Sequence, residues 1–532
     1  MRLFNEYFVM VDVEREVLIY DTTLRDGNQA VDVNLSVRDK LIFSRKLDEF
    51  GVAMIEGGWP NPTNPAEREY FEKAMKLSLR SEIAAFGMTR KAGLKAEEDS
   101  ILNYLADTPC HIYTLFGKSW SLHVRKVLNT TLEENLEMIS DTVSFLKKRG
   151  KTVVYDAEHF YDGFKDDEEY ALQTLEAAEE AGADWIVLCD TRGASTPFDI
   201  YEITKRVSET IKIPLGIHAH NDIGMGVANS ISAVKAGATM VQGTINGVGE
   251  RCGNADLIEV IGVLEFRMNI KTGVKVSKLT EISQYLYELA TIDENPRQPF
   301  VGRYAFSHKG GIHGHAVLKT TEAYEFIDPS IVGNQRALIV SSQAGTASLA
   351  AKAVEFGFEL SKRDPRTLSI LKKVKEMEAE GYVFENADAS LYLLIARMLL
   401  EPIKFFEIEH WTTIVVEGGD RQVCESVVKL RVGDAEIISS AEGNGPVNAF
   451  DKALKKAIIT KYPELKDVYL RGYRVRELDT ESGTAAKVRV FIEFEKGDEH
   501  WSTVGVSSNI LNASKEALVD GYLYYLLKSY RG

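Results

Sequence analysis

A repeated alternation of short apolar runs and longer amphipathic stretches constrains the fold of this chain more than any other feature. Between Val17 and Ile245, eight runs rich in β-branched residues are each followed by a stretch with helical periodicity. Eight strands that alternate with helices over about 250 residues predict a parallel (β/α)₈ TIM barrel. The alternative is an open doubly wound sheet, which is disfavoured because no glycine-rich dinucleotide fingerprint follows the first run. The runs are VLIYDTTL, AMIEGGW, IAAFGMT, HIYTLFG, TVVYDAE, DWIVLCDT, PLGIHAH and MVQGTI.

The sequence that follows the barrel predicts two further domains. Residues 290–404 read as helical with loop segments, and alternating strand patterns begin after Glu401-Pro402. In the last part, VNAFDKAL (447–454) recurs as LNASKEAL (511–518), each opening a helix after several strands. This internal repeat predicts a pseudo-symmetric α+β module. We therefore predict an α/β chain with a barrel over 1–289, a helical linker over 290–404 and an α+β domain over 405–532.

The composition narrows the class of function. A formal net charge of −16 without a basic run argues against nucleic acid or an anionic membrane as a partner. No stretch approaches the roughly 20 apolar residues that span a bilayer, and the N-terminus lacks a secretory signal pattern, so a cytoplasmic location is expected. The four cysteines form no CxxC pair, which argues against a disulfide framework or a thiolate zinc site. Small-molecule chemistry is the better expectation.

Polar residues cluster after the apolar runs, at the barrel face where active sites form. His218 and His220 in HAHND share one face of the seventh strand, although an isolated HxH on a strand is more often structural. Asp26 ends the first strand, which neighbours the seventh and eighth in a closed barrel, and Asn254 lies in the loop after the eighth. Together they predict a site for Mg²⁺, Mn²⁺, Fe²⁺ or Zn²⁺.

The side chains predicted around this metal site suit the activation of a small 2-oxo acid. Such an acid can chelate the ion through its carboxylate and keto oxygens, which polarises the keto carbon. Arg25 can stabilise the alkoxide that develops, unless it forms a salt bridge with an acid such as Glu56. Thr191 can contact the substrate carboxylate or cap a helix. Glu158, at the end of the fifth run, suits a general base or the orienting partner of one.

In the C-terminal module, a polar turn of small residues precedes each repeated helix. The turns are GNGP (443–446) and VSSNI (506–510). Their backbone N–H groups can hold an anion such as an amino-acid carboxylate, or they can be ordinary helix caps.

Five motifs of this chain indicate a family resemblance. In sequence and in order along the chain, they resemble those of the acetyl-CoA:2-oxo-acid synthases that perform Claisen condensations. This family includes the 2-isopropylmalate, citramalate and homocitrate synthases. Three further segments, IEGGWPNPTNP, LFGKSWSLHV and VVYDAEHFYDGFK, resemble the (R)-citramalate synthase branch. Homocitrate synthases typically carry Glu where Asp26 stands, which disfavours that branch. The five motifs are DTTLRDGNQ, HAHNDIGMGVANS, INGVGERCGNA, SHKGGIHGHAVLK and YEFIDPSIVGNQR.

The resemblance implies a role for each candidate residue. Metal ligands are Asp26, His218 and His220 with Asn254 nearby. Substrate contacts are Arg25, Gln29 and Thr191, and catalytic residues are Arg25, Glu158, His313 and Tyr324. Without the resemblance, the sequence around His313 indicates only a solvent-exposed histidine in a loop. In the family, the segment after the barrel completes the active site of the partner subunit in a homodimer. Whether Glu158 or His313 takes the proton is left open.

The implied activity is that of an acyltransferase that converts the acyl group to alkyl on transfer. Acetyl-CoA condenses with pyruvate, and hydrolysis of the thioester yields (R)-citramalate and CoA in isoleucine biosynthesis. The C-terminal regulatory domain would bind a branched-chain amino acid, isoleucine, as feedback inhibitor. The alternatives are a 2-isopropylmalate synthase that uses 2-oxoisovalerate, a metal-dependent aldolase or lyase that needs no acetyl-CoA, and a catalytically silent amino-acid sensor.

One segment departs from the family pattern. After Asp190-Thr191 the chain has Arg192-Gly193-Ala194-Ser195, where citramalate-type sequences usually have Asn-Gly-Gly. The additional cation is expected to favour a second substrate carboxylate, to contact CoA phosphates, or to face solvent.

Overall fold

The computed structural model describes residues 16–309, 311–401, 404–418, 421–479 and 483–531. They form two compact units. The first runs to Phe306 and includes Ile327–Arg336; the second takes Ser307–Phe326 and the chain from Ala337 onward. The division at residues 289/290 and 404/405 stays a prediction.

The first unit contains a closed barrel of eight parallel strands in chain order, in which the first strand pairs with the eighth. This confirms the predicted barrel and excludes the open doubly wound sheet. The eight runs correspond to the eight strands, because each short β-branched segment is buried between its neighbours and a layer of helices. The strands are β1 Leu18–Asp21, β2 Met54–Gly58, β3 Glu82–Met88, β4 Ile112–Lys118, β5 Thr152–Glu158, β6 Trp185–Asp190, β7 Leu215–Ala219 and β8 Met240–Gly243.

Helices follow the strands and are bounded by local signals. Ser36 and Asp39 form a capping box at the start of α1 (Val37–Phe50), and Gly51, at φ +108°, ends this helix. Thr196 and Asp199 form a capping box at the start of α8 (Pro197–Ser208). The helices of this unit are α1 Val37–Phe50, α2 Pro65–Ala74, α3 Ser100–Ala106, α4 Ser121–His123, α5 Leu132–Lys148, α6 Phe160–Asp166, α7 Glu168–Glu180, α8 Pro197–Ser208, α9 Gly226–Ala236, α10 Leu257–Arg267 and α11 Leu279–Ala290.

The barrel interior is packed with side chains. Because side chains alternate across a strand, one set fills the interior while the next set packs against the helices. An active site can therefore form only above this layer, at the ends of the strands. The interior residues are Tyr20, Met54, Ala84, Ile112, Val154, Val187, Cys189 and Met240.

The second unit contains two three-stranded antiparallel sheets, each followed by a helix, as the internal repeat predicts. The repeated segments lie in the helices α16 (Pro446–Ile458) and α17 (Ile510–Arg531). At the start of α17 the Asn509 side chain accepts the N–H groups of Leu511 and Asn512, so this turn acts as a helix cap. The elements are β9 Ser307–His308, α12 Gly311–Val317, β10 Ala337–Leu338, α13 Thr346–Glu355, α14 Pro365–Glu380, α15 Asp388–Leu399, β11 Phe406–Gly418, β12 Arg421–Val432, β13 Ala435–Gly443, α16 Pro446–Ile458, β14 Tyr469–Glu477, β15 Val488–Lys496, β16 Glu499–Ser507 and α17 Ile510–Arg531.

Among the described residues, no helix is both long enough and apolar enough to cross a bilayer.

Candidate active site

The two predicted histidine ligands lie at the carboxyl end of β7. His218 is inside the strand, and His220 follows its last residue, Ala219. Their side chains lie on the same face, with the two Nε2 atoms 3.3 Å apart. Both residues are buried, at 5% and 6% exposure. The predicted convergence of the two imidazoles is therefore present.

Asp26 does not lie at the end of the first strand, where the sequence predicts it. β1 ends at Asp21, and Asp26 lies five residues later, in the turn that follows the strand. The Asp21 carboxylate accepts the Thr23 N–H at 3.0 Å and the Thr23 hydroxyl at 2.8 Å. The Asp26 N–H donates to the Thr22 carbonyl at 2.8 Å. These bonds fold the turn back, so Asp26 Oδ2 lies 3.4 Å from His218 Nε2.

Asp26, His218 and His220 each offer a ligand atom, and these atoms lie within 4.8 Å of one another. Burial raises the pKa of Asp26, but the Arg25 guanidinium and the two histidines outweigh it and hold this pKa well below its usual range. Burial lowers the pKa of His218 to about 3 and also lowers the pKa of His220. An ionised carboxylate and neutral imidazoles are the forms that bind a metal ion.

Gln242, inside β8, orients the His218 ring. Its amide nitrogen donates to Asp156 Oδ1 at 3.0 Å, so its amide oxygen faces His218 Nδ1, also at 3.0 Å. Nδ1 must then carry the proton and donate it, which leaves the Nε2 lone pair directed at the cluster. This is the second-layer contact typical of histidines that bind metal ions.

Asn254 reaches the cluster because the loop after β8 runs along the end of β7. His220 and Asn254 form a β-bridge, and the Ala255 N–H donates to the Ala219 carbonyl at 2.8 Å. The Asn254 amide nitrogen donates to Asp26 Oδ1 at 3.1 Å. Its Oδ1 is buried and has no hydrogen-bond partner among the described residues. An unpaired, buried amide oxygen on a side chain that contacts Asp26 fits a fourth ligand to a divalent cation.

Arg25 forms the salt bridge with Glu56 that was the alternative to an alkoxide contact, and it forms a second salt bridge with Asp26. Its Nε donates to Glu56 Oε1 at 2.5 Å, and its Nη1 donates to Asp26 Oδ2 at 2.9 Å. The guanidinium lies 3.8 Å from the centroid of the Phe86 ring. Burial raises the pKa of Glu56 against the opposing effect of Arg25. Arg25 is thus a fixed cation beside the cluster, and its contact with a keto oxygen stays a prediction.

A cavity of about 210 Å³ opens above the cluster. One wall consists of three aromatic rings, Trp59, Phe86 and Phe116. The Phe86 and Phe116 rings stack with centroids 5.1 Å apart, and Trp59 meets them edge-on at 5.9 Å and 5.5 Å. These three residues are called the aromatic wall below. The predicted residues that line the cavity are Arg25, Asp26, Gln29, Glu158, Thr191, His218 and His220.

Glu158 lies in the cavity wall at the end of β5 and forms an ion pair with Lys118, at the end of β4. The next residue, His159, has a left-handed backbone with φ +59° and is buried. Its N–H donates to Thr191 Oγ1 at 2.8 Å. Thr191 does not cap the helix that follows it, because Thr196 is the cap of that helix. The Thr191 hydroxyl oxygen accepts from His159, which leaves its proton for donation to a ligand in the cavity.

His313 and Tyr324 lie together in the second unit. Their ring centroids are 4.6 Å apart, and both residues are exposed. The Tyr324 ring also lies 6.3 Å from His308, whose Nε2 is 2.8 Å from Glu325 Oε1. The pairing places two titratable rings in contact, and their role in catalysis stays a prediction.

Arg192 does not line the cavity. Its guanidinium lies 5.6 Å from the centroid of the Trp120 ring and 3.4 Å from Asp162 Oδ1, and its side chain is 53% exposed. This position does not support a contact with a second substrate carboxylate inside the cavity.

Several residues of the site were missed by sequence reasoning. Gln242 carried a usable signal, since a polar residue inside a buried strand run needs a partner. Lys118 and Arg251 also end or follow strands and could have been added on that ground. The aromatic wall carried no such signal, because aromatic residues in strands usually belong to the core.

Three family models match successive parts of the chain. The HMGL-like model matches residues 16–286. The homocitrate synthase post-HMGL domain-like model matches residues 300–381. The model of the LeuA allosteric (dimerisation) domain matches residues 385–526.

Similar proteins match over nearly the whole chain. The (R)-citramalate synthase of Aquifex aeolicus is 46% identical over 96% of this chain and 98% of its own length. The (R)-citramalate synthase of Geobacter sulfurreducens is 46% identical with the same coverage. The 2-isopropylmalate synthase of Methanocaldococcus jannaschii is 34% identical over 97% of this chain and 96% of its own length. This chain belongs to the family of the (R)-citramalate and 2-isopropylmalate synthases.

Proposed function

We propose that this protein is a citramalate synthase. It condenses acetyl-CoA with pyruvate and hydrolyses the thioester to (R)-citramalate and CoA, as a step of isoleucine biosynthesis. The higher identity with the (R)-citramalate synthases supports this assignment. The aromatic wall of the cavity is the observation that carries the choice of acceptor.

The aromatic wall favours an acceptor with a small side chain. Pyruvate carries a methyl group next to the keto carbon, whereas 2-oxoisovalerate carries an isopropyl group. Three rings in mutual contact leave little room to repack around the larger group. A single methylene in a close-packed pocket is worth about 1–3 kcal/mol in discrimination, so two carbons are enough for strong selection.

The cluster at the barrel mouth supports a metal-dependent reaction. Asp26, His218, His220 and the Asn254 amide oxygen would hold a divalent ion such as Mg²⁺, Mn²⁺ or Zn²⁺. When bound, the ion would supply Lewis acidity to the acceptor. Arg25 offsets the negative charge that develops on the keto oxygen as the carbon–carbon bond forms.

Other side chains bind the acceptor carboxylate and remove the proton from the acetyl methyl group. The Thr191 hydroxyl donates to the acceptor carboxylate, and Gln29 contacts substrate at the rim of the cavity. Either Glu158 or His313 removes the proton from the acetyl-CoA methyl group. Glu158 lies in the cavity wall. We propose that His313 and Tyr324 act in the active site of the partner subunit of a homodimer.

A panel of 2-oxo acids tests the assignment. With acetyl-CoA and Mn²⁺, the protein is expected to release CoA thiol with pyruvate, and the product is expected to be (R)-citramalate by chiral chromatography. Thiol release with 2-oxoisovalerate and none with pyruvate would make the protein a 2-isopropylmalate synthase. Turnover of a hydroxy acid without acetyl-CoA would favour an aldolase or lyase.

The aromatic wall gives a second test of the acceptor. Phe116→Ala is expected to raise the ratio of kcat/KM for 2-oxoisovalerate to that for pyruvate by about 10–100-fold, because the lost ring makes room for the isopropyl group. Phe198→Ala is the matched control, since Phe198 is 82% exposed on α8. An unchanged ratio in Phe116→Ala would show that the wall does not select the acceptor.

The C-terminal module is proposed to bind isoleucine as feedback inhibitor and to form the homodimer. The match with the LeuA allosteric (dimerisation) domain supports both functions. The strand register puts Ile414, Val427 and Ile438 on one face of the first sheet, and all three are exposed. We propose that a second copy of the chain covers this face, since exposed clusters of apolar side chains mark interfaces.

This interface can be tested with one substitution. Ile438 is 71% exposed, so Ile438→Glu is expected to leave the fold intact but to shift the protein from dimer to monomer in sedimentation velocity. Leu368→Glu, at an exposed position of α14, is the control and should remain dimeric. A dimeric Ile438→Glu protein would place the interface elsewhere.

A further inference from the structure

Arg251, in the loop after β8, joins the loops that follow three neighbouring strands. Its Nε donates to Asp222 Oδ1 at 2.8 Å, and its Nη2 donates to Asp222 Oδ2 at 2.9 Å. The same Nη2 donates to the Thr191 carbonyl at 2.9 Å. Asp222 follows β7 and Thr191 follows β6, so one guanidinium connects all three loops. Arg251 also lines the cavity.

The backbone around these contacts is arranged for close approach. Arg251 has φ +59°, a left-handed conformation that costs a non-glycine residue free energy. Gly193, with φ +58°, lies so close to Asp222 that a Cβ atom would meet Asp222 Oδ2 at 2.6 Å. The Ile223 N–H donates to the Gly193 carbonyl at 3.3 Å. The loops after β6 and β7 therefore pack directly on each other beneath the guanidinium.

The same loops carry residues of the candidate active site. His220 lies two positions before Asp222, and Asn254 lies three positions after Arg251. The Asn221 N–H donates to the Gly253 carbonyl at 3.0 Å, and His220 and Asn254 form a β-bridge. A displacement of Arg251 would therefore move two of the four proposed metal ligands.

The charge of Arg251 alone does not explain the arrangement. The Arg251 and Asp222 side chains are 39% and 23% exposed, and ion pairs this open to water contribute at most about 1 kcal/mol to stability. The forked contact to both carboxylate oxygens, with the third bond to a carbonyl, requires the planar guanidinium. The geometry thus points to positioning as the role of this side chain.

We propose that Arg251 is a positioning residue that holds His220, Asn254 and Thr191 in their places around the cavity. It acts through the loops and not through contact with the substrate. The inference rests on the proposed function, because the reaction assigns the metal ion to His220 and Asn254 and the acceptor carboxylate to Thr191.

The test compares Arg251→Gln with Arg251→Lys in the full-length protein. Mn²⁺ binding without substrates is measured by electron paramagnetic resonance, and the KM for pyruvate is measured separately. Both variants are expected to raise the Kd for Mn²⁺ and the KM about 10-fold, the lower end of the range for residues that support metal ligands. If charge alone mattered, Arg251→Lys would behave as the wild type, which would overturn the proposal.

Two controls separate positioning from general damage. Arg206→Gln removes an exposed ion pair with Glu168 on α7 and α8 and is expected to change neither constant. Asp222→Asn combined with Arg251→Gln is expected to be no worse than either single variant, since both remove the same contact. Wild-type Mn²⁺ affinity and KM in Arg251→Gln would also overturn the proposal. Failure of the metal site itself would be seen separately, as unchanged Mn²⁺ binding in His218→Ala.

Discussion

Replacement of His218 by alanine is expected to abolish citramalate formation and to weaken Mn²⁺ binding by at least about 100-fold, the upper end of the range for residues that only support a metal ligand. The imidazole supplies one of three ligand atoms that lie within 4.8 Å of one another, and alanine offers none. The Asp26 carboxylate would also lose one of the groups that hold its pKa low. Mn²⁺ binding is measured by electron paramagnetic resonance, and turnover is measured as CoA thiol release.

His159→Ala provides the matched control. His159 is a buried histidine next to Glu158, but it is not one of the clustered ligands. The variant is expected to retain wild-type Mn²⁺ affinity and to lose less activity than His218→Ala. If His218→Ala bound Mn²⁺ as tightly as the wild type, the ligand assignment would be wrong.

The barrel and most of the cluster could be predicted because both follow from local rules. Eight β-branched runs with intervening helical periods specify the barrel, and the closure of the barrel brings strands one, seven and eight together. The two-residue spacing of His218 and His220 then puts both rings on one face. Asp26 lies in the same cluster as the two histidines, as predicted, but not at the end of the first strand, since the turn that carries it depends on the Asp21 and Thr23 contacts.

Other features depend on contacts between distant segments that no local pattern reveals. The aromatic wall combines residues from the ends of β2, β3 and β4, and each of them alone reads as an ordinary core residue. The position of Arg251 after a strand marks it as a candidate residue, but its contacts with Asp222 and Thr191 form only where three loops meet. The contact between His313 and Tyr324 could be expected only from the family resemblance, because a histidine and a tyrosine eleven positions apart carry no spacing signal.

If Glu158 is the general base, its replacement by glutamine is expected to reduce kcat by about 10²–10⁴-fold, the range for loss of a general base, while Mn²⁺ binding stays unchanged. Glutamine has nearly the same shape but cannot accept the proton of the acetyl methyl group. Glu158 lines the cavity beside the cluster without belonging to it, so metal binding and proton transfer should separate in this variant.

A comparison with His313→Gln decides which residue is the base. The measurement is the exchange of the acetyl-CoA methyl protons for deuterium in the presence of oxamate, which resembles pyruvate but does not accept the acetyl group. If Glu158 is the base, Glu158→Gln loses exchange and turnover together, whereas His313→Gln loses turnover and retains exchange. The opposite pattern would assign proton removal to His313, and Glu158 would then serve to orient the acetyl group. In either case the Mn²⁺ affinity of both variants should equal that of the wild type, because neither residue belongs to the cluster of Asp26, His218 and His220.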